Sequence, residues 1–137
     1  MPTIECYMTE GYTDGDKAAL IGALTNAVVI AIEAPADSVR TILMEVPHGQ
    51  FGVAGRATAK ADAQLVMQAT LIAGRSAEQK MRLLTALSEA ATERLGIPPH
   101  ATRVIIRDVP NTEYGLGGQT AAALGRGIDR RAMRAQE

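Results

Sequence analysis

A shift of 63 residues carries Gly11 onto Gly74, and the same shift carries Lys17 onto Lys80, Leu24 onto Leu87, Ala27 onto Ala90, Pro35 onto Pro98 and Arg40 onto Arg103. Val46-Pro47 falls on Val109-Pro110, and Phe51-Gly52-Val53-Ala54-Gly55 falls on Tyr114-Gly115-Leu116-Gly117-Gly118. No gap is needed anywhere in the match. Whatever unit residues 1–63 form, residues 64–126 form again, and residues 127–137 are left as a tail. The chain of 137 residues is thus expected to be a single domain made of two repeats.

Each repeat parses alike. Ile4, Cys6 and Met8 alternate with Thr3, Glu5 and Tyr7, the period of two that gives a strand one face for a core and one for elsewhere. Gly11 turns the chain. Thr13 with Asp16, and Ser76 with Gln79, have the spacing of a capping box, so a helix should begin after each. Leu20, Leu24, Ala27, Val28 and Ala31 form a stripe at helical spacing, mirrored by Leu83, Leu87, Ala90 and Ala91. Pro35 and the Pro98-Pro99 pair are expected to end these helices, because proline has no N–H for the ladder. Val39 to Val46 and Thr102 to Val109 then read as second strands. A strand, a helix of about five turns and a parallel strand make a βαβ unit with a right-handed crossover.

Two such units predict an α/β protein, in layers an α+β sandwich, with a four-stranded sheet and both helices on one face. The other face, on which Val66, Ile72, Ile42 and Ile105 are placed, lacks cover, and self-association is the expected remedy. The glycine-rich segments 52–55 and 115–118 read as short hairpins. The segment after Gln119, rich in Ala and Arg, is expected to be helical with frayed last residues.

Composition narrows the function. A formal net charge of −1 and 3% aromatics without Trp argue against nucleic acid and anionic membrane as partners. Cys6 stands alone, so no internal disulfide is possible, and His48 and His100 sit singly with no second ligand at metal spacing. The N-terminus lacks a signal-peptide pattern, and no stretch of bilayer-spanning length is expected, which places the protein in the cytoplasm. No metal and no cofactor are called for. Cys6 and Met8 are expected in the core, Tyr7 on the opposite face, and Tyr12 in solvent.

The second residue is the chemical oddity. Loss of Met1, which a small second residue permits, would leave Pro2 as a terminal secondary amine, a base that no side chain provides. Pro2 opening a strand, Gly11, Arg40 and Phe51-Gly52-Val53-Ala54-Gly55 together resemble 4-oxalocrotonate tautomerase. Gly74-Arg75-Ser76 and Tyr114-Gly115-Leu116-Gly117-Gly118 resemble a second copy, so the likeness covers almost the whole chain. It implies the tautomerase β-α-β fold, a fused protein assembling as a homotrimer, and an amino-terminal proline acting as general acid–base on a small carboxylic acid.

The resemblance also assigns residues, unequally between the repeats. The proline corresponds to Pro2, whereas the second repeat has Leu65 there, an internal amide. The arginine after the glycine is Tyr12 in the first repeat and Arg75 in the second, so the resemblance implies that Arg75 faces Pro2 within one chain. The second arginine appears twice, as Arg40 and Arg103, and the pocket aromatic as Phe51 or Tyr114.

An amine beside guanidinium groups in an apolar pocket should titrate below an ordinary terminal amine and so be neutral near physiological pH. It can then take a proton from an enol or adjacent carbon and return it elsewhere, while Arg75 with Arg40 or Arg103 holds a carboxylate and the developing enolate. A 2-hydroxy-dienoate or enol-pyruvate acid suits this layout. Three readings compete. A hydratase or dehalogenase of the same superfamily needs a carboxylate two residues past the aromatic, where this chain has Val53 and Leu116. A decarboxylase of malonate semialdehyde type needs two arginines where Ala73-Gly74-Arg75 has one. A catalytically silent binding or assembly module remains if Met1 is retained and the Pro2 nitrogen acylated.

Overall fold

The structure, a computed structural model, describes residues 2–127. The expected removal of Met1 and the expected fraying of the last residues lie outside the described residues. The helix expected after Gln119 is not seen in the part that is described: Gln119–Thr120 is a short strand, 121–125 form a turn, and Gly125 and Gly127 at positive φ turn the chain out of any helical path. The first repeat supplies strand β1 (Thr3–Thr9), helix α1 (Asp14–Ile32), strand β2 (Arg40–Val46) and a hairpin of β3 (Gly52–Val53) with β4 (Arg56–Ala57). The second supplies β5 (Leu65–Ile72), α2 (Ala77–Leu95), β6 (Thr102–Val109) and a hairpin of β7 (Gly115–Leu116) with β8 (Gln119–Thr120). The two hairpins fall on the two glycine-rich segments.

The four long strands form one sheet in the order β2-β1-β5-β6. Within each repeat the pairing is parallel, β1 with β2 and β5 with β6, as a βαβ crossover requires. Between the repeats it is antiparallel, with Glu5 opposite Gln68 near the centre. The two units are therefore related by a pseudo-twofold axis through the middle of the sheet, and their equivalent ends lie at opposite ends of the molecule.

Both helices start as their sequences dictate. Thr13 Oγ1 accepts from the Asp16 amide and Asp16 returns a bond to the Thr13 amide, at 3.0 and 3.1 Å. Ser76 and Gln79 make the same reciprocal pair at 3.2 and 3.1 Å, satisfying two otherwise orphaned donors at each helix start. Their ends differ from expectation. Neither Pro35 nor Pro98 terminates a helix: α1 stops at Glu33 and α2 at Gly96, both left-handed, and the prolines lie beyond in the short 3-10 turns leading to the second strands. A left-handed residue points the next N–H out of the helical path, so the ladder has ended before proline is reached. Gly11 and Gly74, at φ of 121° and 130°, make the strand-to-helix turns in a region that side chains rarely enter.

Ile4, Cys6 and Met8 on β1 and Leu65, Met67 and Ala69 on β5 are fully buried against Leu20, Leu24 and Val28 of α1 and Leu83 and Leu87 of α2. Each such large aliphatic side chain contributes on the order of 1.5–3 kcal/mol. An ion pair is repeated as well, Lys17 with Glu45 and Lys80 with Asp108, each tying a helix to the second strand of its own unit. α1 corrects one expectation, since at 19 residues it is long and apolar enough to cross a bilayer. Leu20, Leu24, Val28 and Ile32 are its buried face, while Ile21 and Ile30 leave apolar surface exposed on its other sides.

The far face of the sheet carries Ile42, Met44 and Ile105 exposed and Val66 half-buried. Ile72, assigned to that face by alternation, is buried instead. The cause is local: Gly127 approaches so closely that a Cβ there would lie 2.1 Å from Ile72 Cγ2. Tyr12 also departs from expectation, being half-buried against the core, with burial the main cause raising its hydroxyl pKa. Burial pushes the Cys6 thiol up from 9.0 to about 12. Between those values the unfolded chain releases the proton and the folded chain keeps it, so stability should fall as pH rises, by about 1.4 kcal/mol per unit. Denaturant unfolding of the protein and of Cys6→Val at pH 8 and pH 10 checks this. The native protein should lose roughly that much more stability than the variant over the interval, and parallel losses would refute it.

Candidate active site

The antiparallel join decides which residues meet. Because β5 runs opposite to β1, the start of the first repeat and the finish of the second lie at the same end of the sheet. The Pro2 carbonyl accepts the Arg40 amide at 3.0 Å, which fixes the entry to β1 beside the start of β2. The row that begins with Arg40 opposite Thr3 continues through Thr70 to Arg107, close to where β6 ends and the loop to Tyr114 begins. Tyr114 Oη and Thr3 Oγ1 are hydrogen-bonded at 3.0 Å, so the second repeat's aromatic reaches the residue next to Pro2.

These residues border a cavity of about 680 Å3. Pro2, Ile32, Leu71 and Ile72 line it as buried, apolar groups. Arg75 and Tyr114 line it half-buried, and Arg40, Asp37 and Arg126 line it exposed. The cavity thus has an apolar floor holding the proline and a charged rim. Arg40 Nη1 donates to the Asp37 carbonyl at 2.8 Å, holding its guanidinium back along the 3-10 turn before β2. Arg75, just after the Gly74 turn, donates through Nη1 to the carbonyl of Ile32. That carbonyl is one of the four that a helix end leaves without an internal partner. Arg82 Nε does the same for the Ala31 carbonyl at 3.3 Å. α1 has no basic residue in its own last turn, whereas α2 has Arg94 and a Gly96 cap bonded to the Thr92 carbonyl at 2.9 Å. Arg75 therefore has a structural task, neutralising the negative end of α1, as well as a place on the cavity wall.

Of the six residues singled out in the sequence, the structure brings Pro2, Arg40, Arg75 and Tyr114 together. Arg103 and Phe51 do not line this cavity. Arg103 pairs with Val66 near the start of β5, and Phe51 follows the end of β2, so both belong to the opposite end of the sheet. There the counterpart of Pro2 is Leu65, fully buried at the start of β5. The sequence reading passed over Asp37 and Arg126. Asp37 carried no motif, and Arg126 falls opposite Ala63 in the repeat and borders the Arg-rich tail. The glycines on either side of it were the available signal, since both Gly125 and Gly127 have positive φ.

The sequence matches the family model described as "Tautomerase enzyme" over residues 2–61 and again over residues 68–123. The chain belongs to the tautomerase family. Among its relatives, a probable tautomerase of Ralstonia nicotianae is 53% identical over 55 residues, covering 40% of this chain and 79% of the relative. A 2-hydroxymuconate tautomerase of Stutzerimonas stutzeri is 41% identical over 61 residues, 44% of this chain and 97% of the relative. Relatives of that length span one repeat. A solved fused 4-OT, described as a wild-type asymmetric trimer, is 48% identical and covers 90% of this chain and 99% of its own, with a TM-score of 0.86. The protein is accordingly a tandem, fused member of the 4-oxalocrotonate tautomerase type, and an isomerase.

Proposed function

We propose that the protein tautomerises a small 2-hydroxy-dienoate or enol-pyruvate type acid, with the amino-terminal nitrogen of Pro2 as the group that carries the proton. The observation that supports this most directly is the position of Pro2, buried on the wall of a cavity that also presents Arg40, Arg75 and Tyr114. Guanidinium groups near an amine on an apolar floor disfavour its protonated form, so the nitrogen is available as a base. It accepts the proton of the enol hydroxyl or of the adjacent carbon and delivers it to the other terminus of the dienol. The O–H bonding pair stays behind to form the carbonyl π bond, and the diene π pair that it displaces takes the proton from the amine at carbon, so that one C–H bond forms as one O–H bond breaks. Arg75 and Arg40 hold the carboxylate and draw charge onto the carbonyl oxygen as it develops. Tyr114 supplies wall and the hydroxyl bound to Thr3.

The reading includes a trimer. The far face of the sheet exposes Ile42, Met44 and Ile105, and the fused relative of known structure is described as a trimer. Burying that face between copies would remove apolar surface from water.

The test is the state of the N-terminus. Protein whose intact mass shows Met1 removed should ketonise 2-hydroxymuconate or phenylenolpyruvate. The same chain made to retain Met1, so that the Pro2 nitrogen is an amide without a basic lone pair, should be folded and inactive. Equal turnover by the two forms would rule the amine out.

A further inference from the structure

We propose that Arg126, carried on the turn that follows the second hairpin, is a specificity residue of the Pro2 cavity and receives a second anionic group of the substrate. This rests on the functional reading above and extends it to a residue with no counterpart in the first repeat.

The turn is built, not draped. Ala121 is fully buried and its amide donates to the Tyr114 carbonyl at 2.8 Å. The Ala122 amide donates to the Asn111 carbonyl at 3.0 Å, and the Gly125 amide to the Ala122 carbonyl at 3.0 Å. Arg126 is held at both ends of its own backbone: its amide donates to the Ala121 carbonyl at 2.9 Å, and its carbonyl accepts from Asn111 Nδ2 at 3.1 Å. Gly125 and Gly127 flank it at φ of 72° and 57°. Gly127 lies against Ile72 with no room for a Cβ. This seats the turn on the cavity, and Gly125, Arg126 and Gly127 all line it.

Position and charge then point to a role. Arg40 and Arg75 approach from β2 and from the β5-α2 turn, and each spends a donor on a main-chain carbonyl. Arg126 comes from a third element. Among the described residues the lining then holds three guanidiniums from three different elements and one carboxylate, Asp37, so that separate donor groups are placed for two negative groups of one substrate. A guanidinium carries five N–H donors in a planar fork, so it can serve the protein and a carboxylate together. The first repeat has nothing comparable. The residues aligned with 121–127 are the linker 58–64, where Thr58 bonds His48 Nδ1 at 3.0 Å and the chain runs on into β5.

The experiment compares 2-hydroxymuconate, with two carboxylates, and phenylenolpyruvate, with one, on protein with a verified N-terminus. A charge-assisted hydrogen bond of about 1.5–3 kcal/mol corresponds to roughly a 10- to 100-fold change in binding. Arg126→Ala should raise KM for the dicarboxylate by about that factor, with kcat within about threefold, and leave KM for the monocarboxylate within about twofold. Arg126→Lys should recover part of the loss, keeping the charge without the fork. Gly127→Ala should weaken dicarboxylate binding in the same sense, because its new Cβ displaces the turn from Ile72. Unchanged KM for both substrates in Arg126→Ala, or an equal rise for both, would overturn the proposal. The two readings separate cleanly. If Pro2→Ala loses most of its turnover while Arg126→Ala binds both acids normally, only the role of Arg126 falls, whereas undiminished turnover in Pro2→Ala removes the role proposed for the proline.

Discussion

Replacing Pro2 by alanine should lower kcat/KM by roughly 100- to 10,000-fold, the range that a positioned general acid–base supplies. Alanine still offers a terminal amine, so the loss measures what proline adds. A secondary amine in a ring has one nitrogen lone pair in one fixed direction, and here the ring is packed into the cavity floor. A primary amine on a freely rotating bond must be oriented at each turnover. The fold should be indifferent to the change. The bond that ties residue 2 to the sheet runs from its carbonyl to the Arg40 amide and needs no side chain. Unfolding midpoints within a few degrees, beside collapsed turnover, are the expected pair of results, and the native enzyme should gain activity as pH rises through the titration of the amine. Undiminished activity in Pro2→Ala would show that the proline ring contributes nothing, and equal turnover in the Met1-retaining chain would end the mechanism.

Arg75→Ala is expected to strike twice. As a carboxylate ligand its loss should raise KM about 10- to 100-fold, the equivalent of one charge-assisted hydrogen bond, and lower kcat as well if it stabilises the enolate. As the partner of the Ile32 carbonyl its loss uncovers the negative end of α1, at a stability cost of about 1–2 kcal/mol. Arg82→Ala separates the two effects. It removes the neighbouring bond to the Ala31 carbonyl but does not line the cavity, so it should lower the unfolding midpoint and leave the kinetics alone. If Arg75→Ala changed neither KM nor kcat, the substrate-binding assignment would be wrong and its contact with α1 would be its whole purpose.

What the sequence disclosed was the repeated unit, since alternation in Ile4, Cys6 and Met8, the capping pairs at Thr13 and Ser76, and the stripes of both helices are all local patterns. The join between repeats is not local. Nothing in residues 58–64 states that β5 will pair with β1 antiparallel, yet that single choice delivers Tyr114 and Arg75 to Pro2 and takes Phe51 and Arg103 to the far end. The choice between duplicated residues therefore stayed open until the strands were placed. Ile72 and Tyr12 misled for a related reason. Alternation and turn position describe a residue's own segment, whereas the burial of Ile72 comes from Gly127, more than fifty residues on. Arg126 was illegible because the repeat, the best guide elsewhere, offers Ala63 in its place.

The seating of Gly127 against Ile72 has a practical meaning for anyone who handles the protein. Pro2 and Gly127 line the same cavity, so the entry to β1 and the turn after the second hairpin meet there. A purification tag at the amino end would convert the nitrogen proposed as the base into an amide. The exposed residues Ala59 to Asp62, in the linker ahead of β5, begin at the opposite end of the sheet. A label or surface tether inserted there would attach the protein at a distance from the Pro2 cavity.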